Sequence, residues 1–387
     1  MSFRFTTAGE SHGPGLVAIV EGLPAGLELT KEELDRDMAR RQLGHGRGGR
    51  MKIERDEVEI RSGIRHGRTL GSPIAVLVAN RDYPNWEERM NPWPVDAEVE
   101  RALTPRPGHA DLAGLQKFGY EDIRDVLERA SARETAARVA AGTLARAFLA
   151  ALGVSVHSHV TRIGSVAAPE RDELSAEDFD GVDESPVRCL DADASEAMIE
   201  EIDRLRKENE SLGGMFAVLA FGLVPGLGSH ASWAERLDGR LAKALVSIQA
   251  VKGVSIGEGW EVASRPGSES HDEIFFSEER GYFRETNRAG GVEGGMTNGE
   301  PLVVHAALKP ISTLTKPLRS VDVETREPAE ALRERTDSTV VPAAGVVGEA
   351  MVCLELAAAY REKFAGDHID DALAALDAYK ERIGWRR

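Results

Sequence analysis

The sequence predicts an α+β fold, and three features carry that prediction. Apolar runs of strand length come in small groups. Long helical patterns separate the groups, so the regular strand–helix–strand alternation of a doubly wound sheet is missing. With 387 residues and 42% hydrophobic side chains, the chain has material for a large core. No linker, low-complexity tract or short-period repeat divides it, and residues 1–387 read as one domain.

Residues 3–7 and 16–20 read as strands on either side of a Gly-Pro-Gly turn at 13–15. Thr30 followed by Glu33 is a capping box, opening a helix that runs to Leu43 and stops at Gly44. Residues 57–61 and 74–78 follow as strands, and 80–107, rich in Pro and Trp, as a long ordered loop. The strongest helical pattern covers 127–152, with a second capping box at Ser131–Glu134. A strand is expected at 154–163, a peripheral acidic stretch at 169–193, and a charged helix at 195–210. Residues 215–224 read as a buried strand, 235–251 as a helix, 302–308 as a strand, and 343–364 and 369–383 as helices.

Charge narrows the function classes. The formal net charge of −17 argues against a general nucleic-acid binder. The N-terminus has no apolar signal region and no run is expected to approach the length of a membrane span, so a cytoplasmic protein without membrane partners is expected. Cys189 and Cys353 form no C-x-x-C pair, which points away from a disulfide framework or a cysteine metal site. Within this acidic chain the segment 36–68 is basic, carrying Arg36, Arg40, Arg41, Arg47, Arg50, Lys52, Arg55, Arg61, Arg65 and Arg68. It reads either as a small-anion site or as a solvated face paired with Asp35, Asp37, Glu54, Asp56 and Glu57. An RNA-binding role for the segment lacks an aromatic platform for single strands.

Two motif matches fail on context. Gly9-Glu10-Ser11-His12-Gly13 fits the G-x-S-x-G of a serine hydrolase, but a β-like run follows it instead of a helix, and too few strands precede it. Gly44-His45-Gly46-Arg47-Gly48-Gly49 fits a dinucleotide fingerprint but follows a helix, not a strand. His157 and His159 share one side of a strand without a third ligand nearby, so a structural role is preferred and no metal is expected.

The remaining clusters share an anion-binding chemistry. Arg106-Pro-Gly-His109-Ala-Asp111 places a guanidinium, an imidazole and a carboxylate on one loop. Arg129-Ala130-Ser131-Ala132-Arg133-Glu134 sets arginines and a hydroxyl at a helix N-terminus. Residues 287–299 carry five glycines, which let backbone approach a flat ligand. Lys309-Pro310-Ile311-Ser312-Thr313 and Arg335-Thr336-Asp337 add a cation, hydroxyls and a carboxylate.

Taken together with Thr7–Gly13, the 44–50 loop and Glu349-Ala350-Met351, these motifs resemble the chorismate synthase family over nearly the whole chain. The resemblance implies a β-α-β sandwich of antiparallel sheets around helices, assembled as a homotetramer. It implies loss of phosphate from 5-enolpyruvylshikimate 3-phosphate across a 1,4 relationship, giving chorismate for aromatic amino-acid biosynthesis. It also implies a requirement for reduced FMN without net redox change. It makes His12 the proton donor to the phosphate, His109 the group that protonates the flavin, and Asp337 the carboxylate that relays a proton from it. The FMN candidates are Arg129, Ala130, Ser131, Gln249, Ala250, Gly294, Lys309, Pro310, Ile311, Ser312, Thr313 and Arg335. Arg41, Arg47, Arg106 and Arg133 are candidates for substrate anions, the first two also for a nicotinamide phosphate (NADP). With no extra domain and no credible dinucleotide fingerprint, a monofunctional enzyme is expected, its FMN reduced with NADPH by a separate protein.

Overall fold

The computed structural model describes residues 2–47, 56–171, 173–333 and 337–386. Two antiparallel sheets enclose a layer of helices. The first is built from β1 (Arg4–Ala8), β2 (Gly15–Glu21), β3 (Val58–Ile60) and β4 (Ile74–Ala79) in the order β1-β2-β4-β3. Alternation explains its inner face: Leu16, Ala18 and Val20 of β2 meet Ile74, Val76 and Val78 of β4 on the buried side. The second sheet contains β5 (Ser155–Ile163), β6 (Val166–Ala167), β7 (Gly214–Phe221), β8 (Val251–Ile256) and β9 (Leu302–Leu308), in the order β8-β9-β7-β5-β6. Its central strand β7 is buried on both faces at Phe216, Ala217, Val218, Leu219 and Ala220, and so reads as a continuous apolar run.

Between the sheets lie α1 (Lys31–Gln42), α4 (Thr135–Ala151), α6 (Leu237–Val246) and α7 (Val341–Lys363). The remaining labelled helices, α2 (Asp111–Phe118), α3 (Arg124–Ala130), α5 (Ala192–Lys207) and α8 (Ile369–Ile383), flank this layer. α7 is apolar and long enough to cross a membrane, but 94% of its apolar window is buried inside the protein, so it is the core helix of the sandwich. α4 and α7 approach closely because Gly142 faces Ala350. Polar groups in this layer are paired: Glu349 accepts from Arg40, Arg146, Arg188 and Ser158 at 2.6–3.2 Å.

The α+β reading and the sandwich hold, while several local expectations change. Thr30 and Glu33 form the expected reciprocal capping box. The helix expected over 127–152 is broken at Ser131, which is extended (ψ 140°) and accepts from the Arg133 amide. No capping box forms there, because Glu134 turns away to Thr7, Arg138 and Gln249. The helix expected over 235–251 ends at Val246, and Ala250, at φ +70°, turns the chain into β8. The 169–193 segment is not simply peripheral: Phe179 caps the outer face of the second sheet, against His157 and His159, and Arg188 is fully buried. α2 and the hairpin of Ile274–Ser277 with Gly281–Arg284 are additional elements.

Candidate active site

Residues 9–14 join β1 to β2 as a hairpin loop, so Ser11 sits at a strand-to-strand turn and not on a nucleophile elbow. The Ser11 amide donates to the Glu128 carbonyl at 3.0 Å, and the Ser131 hydroxyl donates to the Ser11 hydroxyl at 3.2 Å. His12, only 6% exposed, packs against the same turn of α3. Its Nδ1 lies 3.0 Å from both oxygens of Glu128, and its amide donates to Oε2 at 2.8 Å. Arg124 donates to the same carboxylate at 2.8 Å. Burial works to raise the Glu128 carboxyl, yet the hydrogen bonds from His12 and Arg124 hold it below its ordinary value. Trp86, from the long loop after β4, stacks on the His12 ring with centroids 3.8 Å apart.

The α3–α4 junction carries the next groups. Arg129 donates to the carbonyls of Gly9 and Thr7 at 3.1 and 2.9 Å, tying the hairpin loop to the junction. Arg133 pairs with Asp56, whose other oxygen accepts from Arg41 at 3.1 Å. Arg41 also donates to Thr135 and to the Ala132 carbonyl, so the break at Ser131 brings three chain segments together. Burial pushes the Arg41 guanidinium down to about 10; Asp56 opposes this, and Arg133 and Arg47 add to it. Arg47 in turn pairs with Asp337 at 3.2 Å. Three guanidiniums thus share two carboxylates, Asp56 and Asp337, in a largely desolvated region suited to an added anion.

A second histidine stands on the 105–111 loop. The Asp111 carboxylate accepts from Arg106 Nε at 2.8 Å and from His109 Nδ1 at 2.5 Å. Arg106 also lies 3.1 Å from His109 Nδ1, but a nitrogen donating to a carboxylate cannot also accept. Burial opposes it, yet His109 and Arg106 hold the Asp111 carboxyl well below its ordinary range. Lys309 reaches this loop, donating to the Gly108 carbonyl at 2.8 Å, and burial and Lys252 lower its ammonium.

The expected flavin residues assemble in part. Gln249 donates to Glu134 at 3.3 Å, while its Oε1 is buried without a hydrogen-bond partner among the described residues. The Ala250 carbonyl accepts from the Lys309 amide at 3.0 Å, and the Ile311 carbonyl accepts from Ser211. Thr313 and Asp337 line a cleft of about 190 Å³ with Arg206, Asn209 and Ser211. Arg129, Ala130 and Ser131 adjoin Gln249 through Glu134. An open buried acceptor, cationic side chains and a backbone turn held at positive φ fit an anionic, hydrogen-bonding flavin.

Gly294 stands apart. It turns the hairpin of Val292–Glu293 and Met296–Thr297, beside the N-terminal end of α6, where Leu237 donates to the Gly295 carbonyl. Gln249 follows the opposite end of that ten-residue helix, roughly 15 Å along its axis. Arg335, together with Arg50, Lys52 and Arg55 of the basic segment, lies outside the described residues. The other arginines of the segment are mostly paired with acids: Arg36 with Asp37, Arg40 with Asp37, Asp183 and Glu349, Arg61 with Glu59, and Arg68 with Glu28. Among the described residues no group of three His, Cys, Asp or Glu is arranged to hold a metal.

Glu128 and Trp86 are the site residues that sequence reasoning passed over. An acid in the last turn of α3 opposes the helix dipole, which is a legible oddity. Trp86 gives no such signal, since nothing local aims it at His12.

The family profile described as chorismate synthase matches residues 3–360. A chorismate synthase of Rubrobacter xylanophilus is 58% identical over 386 residues, covering 99% of this chain and 98% of its own. One from Symbiobacterium thermophilum is 56% identical, covering 99% and 100%. A crystal structure of a chorismate synthase superposes with a TM-score of 0.81 at 40% identity, covering 99% of this chain and 98% of that one. The agreement of profile, end-to-end relatives and fold places the chain, an enzyme of the lyase class, in the chorismate synthase family.

Proposed function

We propose that this enzyme eliminates phosphate from 5-enolpyruvylshikimate 3-phosphate in a 1,4 sense to form chorismate, using reduced FMN without net redox change. The observation that carries the reading is the desolvated cluster of Arg41, Arg47 and Arg133 on Asp56 and Asp337, together with two histidines each held by a carboxylate. The substrate bears a phosphate and two carboxylates, and Arg41, Arg47, Arg106 and Arg133 supply planar donors for them. His12, whose Nδ1 is given to Glu128, offers a proton to the departing phosphate through Nε2. His109, similarly held by Asp111, keeps a proton near the flavin, and Asp337 beside Arg47 accepts the one lost from substrate carbon. Arg129, Ser131, Gln249, Ala250 and the 309–313 loop hold FMN, with Gln249 Oε1 as the open acceptor. Reduced FMN, when bound, lends electron density as phosphate leaves and assists removal of the unactivated proton. Arg41 and Arg47 remain shared between substrate and a nicotinamide phosphate. Cytoplasmic location, a homotetramer and an external NADPH-dependent flavin reductase complete the reading.

An anaerobic assay with photoreduced FMN tests it, following phosphate release and chorismate absorbance. Release should require reduced flavin and disappear with the oxidised form; flavin-independent release, or none, overturns the proposal. His12→Ala and Asp337→Asn should each lower kcat at least a hundredfold while FMN still binds.

A further inference from the structure

We infer that Glu128 is a positioning residue that holds His12 by Nδ1, so that Nε2 is the nitrogen that exchanges a proton with substrate. The inference rests on the reading of His12 as proton donor. A carboxylate holding its charge accepts and cannot donate, so the bond at 3.0 Å places a hydrogen on Nδ1. Two further contacts support the ionised form, the His12 amide and Arg124, both at 2.8 Å, and with the ring they hold the Glu128 carboxyl below its ordinary value. The ring is then fixed in its own plane by Glu128 and across its plane by Trp86, whose Nε1 is tied to Asp82 at 3.0 Å. Arg124 sits 5.2 Å from the Trp86 ring centroid, so one cation closes both halves of the clamp. The hairpin loop has other anchors besides the bond from the His12 amide to Glu128. Ser11 N to the Glu128 carbonyl, Gly13 N to the Glu10 carbonyl and Asn80 to the Gly13 carbonyl already fix its backbone. The side chain of Glu128 therefore serves the ring as well as the His12 amide, and the double-mutant cycle separates the two roles. During turnover the proton passes from Nε2 of the imidazolium to the leaving phosphate oxygen, the ring keeps Nδ1–H, and Glu128 stays ionised throughout.

A double-mutant cycle decides the matter, with His12→Ala, Glu128→Gln and the pair assayed anaerobically at saturating reduced FMN. Glu128→Gln should lower kcat roughly 10–100-fold with KM changed less than about threefold, in line with the loss of an orienting partner. In the His12→Ala background the same change should matter less than about twofold. Long-range ¹H–¹⁵N spectra of histidine-labelled enzyme should show Nδ1–H at His12 in the parent and its loss or mixing in Glu128→Gln. Parental kcat in Glu128→Gln, or an equal slowing with and without His12, overturns the inference. If His12→Ala alone is fully active, the donor reading of His12 falls, and an unchanged His12 tautomer in Glu128→Gln then overturns the positioning role separately. Should Glu128→Gln not fold, Glu128→Asp keeps the charge but withdraws it by one methylene, and the same cycle and spectra are read in that variant.

Discussion

Replacing glycine by alanine inside a helix ordinarily stabilises it, and Gly142→Ala should do the reverse. An ideal Cβ at Gly142 would stand 2.4 Å from the Ala350 Cβ, 2.6 Å from its Cα and 3.0 Å from its carbonyl oxygen. Carbon atoms rest about 3.5–4.0 Å apart, so α4 and α7 must separate by roughly 1 Å. The obstacles are backbone and a methyl that cannot rotate away, which puts the strain near the upper end of the usual overpacking range, about 3 kcal/mol. Helix propensity returns about 1 kcal/mol, leaving a net loss of about 2 kcal/mol. Gly239→Ala is the control: it too lies in a helix, α6, but its Cβ would meet nothing within 4 Å. Both changes reduce unfolded-chain entropy equally, so their difference isolates the α4–α7 contact. Urea unfolding followed by circular dichroism should lower the midpoint for Gly142→Ala and leave it level or raised for Gly239→Ala. A Gly142→Ala protein as stable as the control refutes the close-contact argument.

Three further outcomes follow from buried charge. Glu349→Gln should cost about 3–5 kcal/mol, because Arg40, Arg146 and Arg188 lose the carboxylate they share. Burial opposes it, but those arginines hold the Glu349 carboxyl well below 4.5; its contribution is whole above that value and fades only as pH falls through the lower folded one. The deficit of the variant should therefore be the same at pH 6 and pH 8 in urea titrations. His159 is driven from 6.5 to about 4 by burial and then by His305; the unfolded chain binds more protons between these values, so about 3 kcal/mol of stability drains as pH falls from 6.5 to 4. His159→Phe should flatten that acid limb in thermal melts run across the window. Arg106→Lys keeps the charge but loses the fork that spans both oxygens of Asp111; kcat/KM should drop about tenfold or more with an unchanged circular dichroism spectrum.

Period and punctuation made much of the fold legible. Strands β2, β4 and β9 alternate or run apolar as their burial requires, and Thr30 and Glu33 cap α1 as read. What escaped was settled by partners remote in sequence. Ser131 breaks a strong helical pattern at a junction that Arg41, 91 residues from Ala132, braces by donating to the Ala132 carbonyl. Arg188 looks like a surface cation in an acidic stretch, yet it is buried against Glu349, 161 residues along. The same reach explains the site: His12 and Glu128 are 116 residues apart, and only folding shows that one anchors the other. The motifs put Arg41 and Arg133 on one carboxylate, Asp56, and Arg106 and His109 on another, Asp111, while Gly294 lies at the other end of α6 from Gln249.

A chain with a net charge of −17 builds a cationic site by burial and sharing. The arginines of this site are not simply exposed to attract anions; each is held by a carboxylate, and Asp56 is divided between Arg41 and Arg133. Such sharing lets the folded protein tolerate desolvated guanidiniums before any ligand arrives, and it orients them in advance. Burial, with Arg133 and Arg47 nearby, lowers the Arg41 guanidinium to about 10 against the opposing pull of Asp56. A small anion entering among these guanidiniums relieves their mutual repulsion. The net acidity then has a complementary role: it disfavours polyanions at the surface, while the paired, buried guanidiniums are reserved for a small anion.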